Sequence, residues 1–374
     1  VEGYNYLEIL TEVSKKALID CEASKDFRQE IDTVGVIRFV ADTPQRDSAT
    51  SDLWGYPNMP RSLARSLGFN AKNEIYTTTG GNSPQIAINE LANRIKDKQI
   101  ECALLSGGEA LDTFVTRLKD GLEVNWSDEP GGEPEIIGKS EDGTNDHEKI
   151  HGIFNPSSVY PLFANSLRGL NNQTVQEHMN DTGELFERFS KVASKNKYSW
   201  FPIHRSAEEI ALTQPENRMI GLPYTKYMNS IMRVNQSCAL ILMSAKKARE
   251  LGIPTSKWVF MYAGACINDI WNVSDRVDYS SSPAIKACSD NVFELADVKI
   301  EELNFIDLYS CFPSAVQIAM KELELSKDDP RGLTVTGGLP YFGGPGNAYV
   351  MNSIATMMNL SLIHISEPTR HLLI

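Results

Sequence analysis

The sequence predicts an α/β protein built from two similar halves. Strand and helix patterns alternate along the chain, and this spacing indicates right-handed crossovers and a parallel sheet. Each half contains a strand that enters a glycine-rich turn at the start of a helix, at Thr79–Gln85 and at Leu333–Asn347. A length of 374 residues suits two domains or a fused pair. We therefore expect two duplicated βαβαβ halves, residues 1–230 and 231–358, stacked as α/β/α/β/α layers.

The first half is predicted to begin with helices and strands in alternation. Apolar residues recur at helical spacing in three segments, and short β-branched or apolar runs form three more. The expected helices are residues 4–21, 61–67 and 85–96, and the expected strands are residues 31–40, 74–79 and 100–106.

Residues 120–150 form an acidic stretch rich in glycine and proline. Such a long polar excursion predicts a surface loop or lid. Helical patterns return at residues 159–168 and 175–196. We assign residues 111–230 as a loop or lid region of the first half.

The second half repeats the alternation. Strands are expected at residues 234–244, 258–266, 304–308 and 333–336, and helices at residues 245–251, 284–296, 314–325 and 348–358. Residues 361–374 resemble a translated sequencing adapter, and we expect this tail to be non-native.

Composition narrows the classes of function. Lys and Arg number 36 against 49 Asp and Glu, and the net charge of −13 argues against a nucleic-acid partner. A local basic patch or a helix N-terminus could still bind a phosphorylated ligand. The sequence contains no apolar run of about 18 residues, so it predicts no membrane-spanning helix. Six scattered cysteines without CxxC spacing indicate reduced thiols, and hence a cytoplasmic or organellar matrix location.

The turn at Thr77–Gln85 is the first candidate site. Its two glycines permit a tight turn, Asn82 or Ser83 caps the following helix, and Pro84 occupies the first helical turn. Unpaired N–H groups and the helix dipole then favour an anion or a developing oxyanion. A well-capped helix without any function would show the same residues.

The glycine-rich segment Gly337–Asn347 is the second candidate. Dense glycine is costly in chain entropy, so either something approaches the backbone closely or the turn is severe. Gly338 and Gly343 have the spacing of a phosphate loop, but no Lys-Ser/Thr follows, which argues against a nucleoside triphosphatase. A purely structural turn is the alternative.

The segment Asp307–Ser314 is the third candidate. Polar groups and the Cys311 thiol follow an expected buried strand and precede a helix, which is a common location for sites in open α/β sheets. An inert buried thiol is the alternative to a nucleophile.

The residues His147–His151 match the HExxH pattern of zinc peptidases. The acidic loop before them, with Gly152 and Pro156 after them, leaves little room for the helix that a zinc site needs. Lys149 would also place a cation close to the metal. We therefore predict no metal site.

At these segments the sequence resembles the thiolase superfamily, across nearly all of residues 4–358. Within it, the sequence is most similar to the sterol-carrier-type acetyl-CoA acetyltransferases and the thiolase-like proteins grouped beside them. The first turn resembles the loop that carries the acylated cysteine of a thiolase, and Gly81 falls at the cysteine position, give or take one residue. Ser83 keeps the third position of the Cys-x-Ser pattern. Gly343-Gly344-Pro345 resembles Gly-His-Pro, with Gly344 at the catalytic histidine.

Two further segments carry the resemblance. Tyr309–Phe312 resembles the family segment whose first residue positions an oxyanion-hole water, and the segment from residue 216 to residue 227 is typical of the thiolase-like group. The family's final Cys-x-Gly loop would lie beyond residue 358. The resemblance thus implies catalytic positions at Gly81, Tyr309, Cys311 and Gly344. It implies substrate-binding positions at Asn82, Ser83, Ser310, Gly343, Pro345 and Gly346.

The resemblance implies an acyl-CoA acyltransferase of the acetyl-CoA acetyltransferase type that takes CoA or acyl-CoA as substrate or ligand, with no tightly bound cofactor. Thiolase chemistry needs a thiolate activated by histidine and then a base. Glycine at both positions implies that ordinary cysteine-dependent activity is absent while the oxyanion donors persist. One hypothesis is an acyltransferase that uses a route without cysteine. The other is a non-catalytic subunit that holds a CoA thioester, as a homodimer or with a partner protein.

Overall fold

The computed structural model describes residues 3–40, 42, 55–139, 141 and 143–363, and the backbone of residues 371–372. The remainder of the predicted adapter tail, residues 364–370 and 373–374, lies outside the described residues. The described helices are α1 (Tyr6–Asp20), α2 (Met59–Ser66), α3 (Ser83–Lys96), α4 (Leu111–Lys119), α5 (Asp146–Ile150), α6 (Pro156–Leu170), α7 (Val175–Ala193), α8 (Ala207–Ala211), α9 (Ala245–Glu250), α10 (Pro283–Ala296), α11 (Pro313–Glu322) and α12 (Tyr349–Ile363). The described strands are β1 (Thr33–Val36), β2 (Asn73–Thr77), β3 (Cys102–Ala110), β4 (Glu135–Ile137), β5 (Met219–Gly221), β6 (Tyr224–Thr225), β7 (Asn235–Met243), β8 (Met261–Ala263) and β9 (His371–Leu372).

The chain folds into two compact units. The first contains residues 1–140, 232–260 and 345–369, and the second contains residues 141–231, 261–344 and 370–374. The predicted duplication boundary at residue 230 concerns similarity between halves of the sequence and stays a prediction.

A five-stranded sheet in the order β4-β2-β1-β3-β7 organises the first unit. The first four strands of that order run parallel, and β7 pairs with β3 in the antiparallel direction. Helices α1 and α2 cover one face, where Val34 and Leu104 join the main apolar core. Alternate residues point to the opposite face, where Gly35 lies against Leu105 and Leu91 of α3. Burial on both faces explains why residues 34–37 and 102–105 are apolar without alternation.

The second unit is mainly helical. α7 packs closely against α8, and α11 packs against α6. The rings of Phe186 and Phe189 stack with centroids 5.2 Å apart. Strands β5 and β6 form a short antiparallel pair, and β8 pairs in parallel with β9.

The predicted α/β class is confirmed, although some predicted elements are wrong. Among the described residues, neither 304–308 nor 333–336 forms a strand, although Leu308 N donates a hydrogen bond to Leu333 O at 3.0 Å. The acidic stretch, predicted as a loop, contributes α5 and also β4, which pairs with β2 through residues 135–137. An edge strand of three residues is too short for periodicity to reveal.

The six cysteines are all free thiols. The compartment predicted from them stays a prediction. Among the described residues, no helix combines the length and the apolar character that crossing a bilayer requires.

Candidate functional site

The predicted site residues are divided between the two compact units. Those in the first unit are Gly81, Asn82, Ser83, Pro345 and Gly346, and those in the second are Tyr309, Ser310, Cys311, Gly343 and Gly344.

The first turn closes through the side chain of Ser83. Its hydroxyl donates to Thr78 O at 2.8 Å, and its backbone N–H donates to Gly80 O at 3.0 Å. Ser83 is only 2% exposed. Asn82 stands at the N-cap position of α3, but its side chain makes no capping hydrogen bond. The Ser83 hydroxyl therefore shapes the turn. Asn82 occupies the predicted N-cap position but does not cap the helix with its side chain.

Asn347 joins this turn to the end of the second glycine segment. Its side-chain oxygen accepts a hydrogen bond from Gly80 N at 3.1 Å, and its amide nitrogen donates to Arg38 O at 2.7 Å. The side chain is buried. Gly346, directly before Asn347, is therefore brought close to the first turn. Nothing in the sequence assigns a role to Asn347, the last residue of the second glycine segment. Only its tertiary contacts distinguish Asn347 from any other asparagine in a turn.

Gly346 is held against a buried carboxylate. Its φ of +52° is left-handed, and a Cβ there would lie 2.4 Å from Glu109 Oε1. The same oxygen accepts a hydrogen bond from Val40 N at 2.7 Å. Glycine is thus required at this position by both the backbone conformation and the close approach.

The start of α3 leaves backbone donors available. Within the described part of the chain, the N–H groups of Gly81 and Asn82 form no hydrogen bond. Asn82 is exposed and Gly81 is half-buried. The helix that follows has 14 residues, and its dipole adds partial positive charge at this end. This arrangement can stabilise an anion or a polarised carbonyl oxygen.

A polar cluster beneath the turn was missed by sequence analysis. Arg38 Nε donates to Thr77 O at 2.9 Å, and Tyr76 OH donates to Asp42 at 2.6 Å. Burial raises the pKa of Asp42, while the bond from Tyr76 and the charge of Arg38 oppose that rise. The available signal was an arginine at the end of the β-branched run 31–40. The cluster fixes the strand end from which the turn begins.

In the second unit, Ser310 and the glycine segment are in direct contact. Ser310 is fully buried, and its Oγ accepts a hydrogen bond from Leu339 N at 3.2 Å. Residues 230–231 connect the two segments: Ser230 N donates to Cys311 O at 3.3 Å, and Gly344 N donates to Ile231 O at 2.9 Å. The predicted residues of this unit therefore lie close together, and Ser230 is a neighbour that sequence analysis did not identify.

The Cys311 thiol is poorly suited to act as a nucleophile. Burial raises its pKa to about 11, although hydrogen bonds from Tyr160 and from backbone N–H groups lower it in part. The Tyr160 ring stacks on Phe312 at 4.3 Å and closes over the segment. At pH 7 such a thiol is deprotonated about once in 10⁴ molecules. This supports the alternative of an inert buried thiol.

Gly344, at the family's histidine position, faces Ser230. Its φ is not left-handed, but a Cβ would lie 2.3 Å from Ser230 Oγ and 3.4 Å from Ile231 O. A side chain at this position therefore requires the Ser230 hydroxyl to move, whereas the backbone conformation allows one. Its neighbour Gly343 has a φ of +117°, which L side chains rarely adopt.

The HExxH residues serve a structural role. Glu148 accepts hydrogen bonds from Asn145 N at 2.8 Å and from Ser274 N at 2.6 Å, and the helix around it has five residues. The rings of His147 and His151 meet edge-on at 4.8 Å. Among the described residues, no group of three His, Cys, Asp or Glu side chains could hold a metal ion. The absence of zinc from the protein stays a prediction.

Comparison with solved structures finds similarity over nearly the whole chain. A monomeric SCP2-thiolase-like protein type 1 from Mycobacterium smegmatis is 32% identical, with a TM-score of 0.79 across 98% of this chain and 70% of its own. The acetyl-CoA acetyltransferase of Bacillus anthracis is 17% identical, with a TM-score of 0.59 across 95% of this chain and 86% of its own. A Ltp2-ChsH2(DUF35) aldolase is 16% identical, with a TM-score of 0.61 across 94% of this chain and 84% of its own. These likenesses confirm the thiolase-like fold expected from the sequence.

Sequence comparison gives a more distant match. No family model matches the chain. An acetyl-CoA acetyltransferase of Methanocaldococcus jannaschii is 23% identical over 252 residues, which are 65% of this chain. The match spans 60% of the length of that curated relative.

Proposed function

We propose that this chain binds the thioester of an acyl-CoA without ordinary cysteine-dependent thiolysis. The premise is that the chain belongs to the thiolase superfamily and to its SCP2-thiolase-like proteins. Membership follows from 32% identity over 98% of the chain. The family contains acetyl-CoA acetyltransferases, so a CoA thioester is the ligand class to test first.

The observation that carries the proposal is the pair of unbonded N–H groups at Gly81 and Asn82. A thioester carbonyl is a weak acceptor that gains from two donors fixed at a helix N-terminus. Ser83 and Asn347 hold this turn closed with four hydrogen bonds among them, so the donors need no rearrangement to bind. Preorganisation of this kind favours binding.

The second part of the proposal concerns the missing nucleophile. The resemblance places Gly81 at the cysteine position and Gly344 at the histidine position. Glycine has no side-chain nucleophile to accept an acyl group and no base to activate a nucleophile. Cys311 is the thiol among the predicted site residues, but its raised pKa keeps it protonated. Binding without turnover is the expected behaviour.

Calorimetric titration with acetyl-CoA and CoA, beside a thiolysis assay on the same preparation, tests both parts. We expect binding of acetyl-CoA and no thiolysis above the rate without protein. Absence of binding by folded protein would end the thioester proposal. Brisk thiolysis would instead show that the nucleophile was misplaced, and a Cys311→Ser variant would then identify or exclude that thiol.

Restoring the family residues sharpens the test. Gly81→Cys alone should bind acetyl-CoA without turnover, because the thiol lacks a histidine to activate it. Gly81 is not among the glycines with positive φ, so the substitution is compatible with the backbone. Gly344→His collides with Ser230 Oγ, so it should be made together with Ser230→Gly, with Ser230→Gly alone as the control. Turnover that requires both Gly81→Cys and Gly344→His would support the assignment of the two positions.

A partner-binding subunit is the second candidate function. Tyr262, Ile267 and Ile270 of the second unit are 42%, 45% and 47% exposed. Large exposed apolar side chains close together in sequence favour an interaction surface. Sedimentation velocity of the wild type and of an Ile267→Asp/Ile270→Asp variant tests this. Self-association lost in the variant would favour a homodimer, and identical monomeric behaviour would leave only a different protein as partner.

A further inference from the structure

Two cysteines of the second unit, Cys266 and Cys288, lie on neighbouring segments. Strand β8 packs against α10, and Cys266 follows β8 by three residues. Cys288 lies within α10, and its sulfur accepts a hydrogen bond from Ile267 N, the backbone nitrogen directly after Cys266. Cys266 is exposed and Cys288 is half-buried. We infer that the two thiols form a modification site, at which hydrogen peroxide converts them to a disulfide.

A second link holds the segment after Cys266 against the start of α10. Ser282, at the N-cap of α10, donates through its hydroxyl to Asp269 Oδ2 at 2.8 Å. Asp269 follows Cys266 by three residues. Ser282 precedes Cys288 by six residues, which is about 9 Å along a helix. The segment therefore runs along α10 and is attached to it on both sides of the cysteine pair.

The two cysteines are close enough for a bond to need only a small movement. The hydrogen bond from Ile267 N places the Cys288 sulfur about 6 Å from the Cys266 Cα, because that Cα is about 2.4 Å from the nitrogen. A disulfide requires Cα atoms about 4.4–6.8 Å apart. Residues 264–270 belong to neither a helix nor a strand, so Cys266 can approach α10 without breaking a ladder.

Exposure decides which thiol meets the oxidant first. Dissolved peroxide reaches the exposed Cys266. Burial raises the pKa of Cys288, and the hydrogen bond from Ile267 N opposes that rise. A thiol with a raised pKa is a poor target for peroxide, but one that is held beside an oxidised sulfur needs no encounter step. Cys266 is therefore the thiol that is oxidised, and Cys288 is the thiol that resolves it.

The chemistry takes two steps and one oxidant. Peroxide oxidises the Cys266 thiol to a sulfenic acid: an S–O bond forms, the O–O bond breaks, and one water leaves. The Cys288 sulfur then attacks the Cys266 sulfur, so that the S–S bond forms and the S–O bond breaks. The leaving hydroxide takes the Cys288 proton and departs as a second water. Two thiols and one peroxide thus give one disulfide and two waters.

The first unit contains a pair of cysteines that should not react in this way. Burial raises the pKa of Cys102 to about 12, and the charges of Asp32 and Cys21 add to that rise, so Cys21 lies near Cys102. Cys102 is fully buried in β3, and Cys21 is half-buried. Peroxide therefore has no exposed thiol to oxidise first in this pair.

Peptide mapping of the wild type after peroxide treatment tests the site. Trypsin cleaves after Arg276 and Lys286, so the two cysteines fall on separate peptides, residues 258–276 and 287–299. We expect peroxide to link these two peptides and to lower iodoacetamide labelling of both cysteines about tenfold. Dithiothreitol should restore the labelling. The linked peptide is detected in the wild type, so the test does not depend on the folding of a variant.

Three serine variants test the order of the steps. Cys288→Ser should leave Cys266 as a sulfenic acid that dimedone traps, because the resolving thiol is missing. Cys266→Ser should leave the labelling of Cys288 within about twofold of that in untreated protein. Cys21→Ser is the control, since it removes a half-buried thiol of the first unit, and it should form the link as the wild type does.

Three outcomes would contradict the inference. Oxidised Cys266 beside an unmodified Cys288 in the wild type would overturn the site. Dimers joined through Cys266, seen on a non-reducing gel, would show that the thiol pairs with another molecule instead. A link between Cys21 and Cys102 in equal yield would show that exposure does not select the pair. The experiment uses no acyl-CoA, so its result is independent of the proposed thioester binding.

Discussion

The two glycine-rich turns look alike in sequence and differ in what the glycines do. In the turn at residues 80–83, a Cβ on Gly80 would meet the side chain of Asn82 at 2.7 Å. That side chain is exposed and makes no capping bond, so it can move aside. In the other turn, a Cβ on Gly337 would meet the backbone nitrogen of Ala193 at 2.5 Å, which cannot move aside.

The difference teaches that glycine density alone does not identify a binding site. Gly337 has a φ of +111° and Gly338 a φ of +77°, and a Cβ on Gly338 would lie 2.6 Å from Phe189. These glycines allow α7 to pack closely. The turn at residues 80–83 instead leaves backbone donors unbonded, which is the property a ligand can use.

The largest expected effect that tests this comparison is on stability. Gly337→Ala should lower the free energy of unfolding by about 3–4 kcal/mol, because unfavourable φ and overpacking both contribute. Gly80→Ala, the matched change in the first turn, should cost less than about 1 kcal/mol. Urea unfolding followed by circular dichroism measures both. Equal costs would show that the two turns are not different in kind.

The second expected effect concerns thiol reactivity beside the second turn. Cys311, with its pKa raised to about 11 by burial, should be alkylated by iodoacetamide at pH 7.5 about a hundredfold more slowly than an ordinary exposed thiol. Cys266 is exposed and provides the internal reference. Peptide mass spectrometry over time gives both rates. Rapid modification of Cys311 would contradict its assignment as an inert thiol.

The third effect is the loss of the side chain that holds the first turn. Asn347→Ala leaves Gly80 N and Arg38 O without their partner, and should lower the free energy of unfolding by about 2 kcal/mol. Acetyl-CoA binding should weaken as well, since the donors lose their fixed geometry. Asn352→Ala removes only a long bond, 3.4 Å, from α12 to Ala348 O just before that helix, and serves as the control. A variant that is destabilised but binds normally would separate the turn from the ligand site.

The smallest effect is at the edge of the sheet beside β2, which leads into the first turn. Arg94 forms two hydrogen bonds with Glu135, at 2.6 and 2.8 Å, and these lower the pKa of Glu135. The stabilisation is therefore complete above the unfolded pKa of Glu135 and is lost as the pH falls through the lower folded pKa. Glu135→Gln should cost less than about 1 kcal/mol at pH 7, because the carboxylate is half exposed. Thermal unfolding at pH 7 and at acid pH should show the difference from the wild type disappear in acid.

Much of the fold could be predicted from periodicity, because long elements bury one face. The helices at residues 85–96 and 175–196 and the strand at residues 234–244 are close to α3, α7 and β7. The failures are short or weakly patterned elements. Residues 304–308 contain enough apolar side chains to predict a strand, but no strand in the described part of the chain pairs with them, and a strand exists only where it pairs.

The candidate site was predicted in part. The two glycine segments and the residues Tyr309–Phe312 follow from turn chemistry and family resemblance, and the structure places Ser310 against Leu339 and Gly346 against Glu109. Asn347, Arg38 and Ser230 were missed, because each acts through a partner distant in sequence.

The sequence by itself determined the α/β class, the reduced cysteines, the acidic charge and the family, because each depends on composition, periodicity or short motifs. Only the tertiary structure decided what each glycine and each polar group does. Gly80 and Gly337 have the same side chain, yet one lies in a turn that Asn347 secures and the other lies against Ala193. Arg205 likewise pairs with Glu209 and lies over the Tyr227 ring, whereas Arg218 is exposed and has no ion pair among the described residues. Contacts between residues far apart in the chain set these roles, and such contacts exist only once the chain is folded.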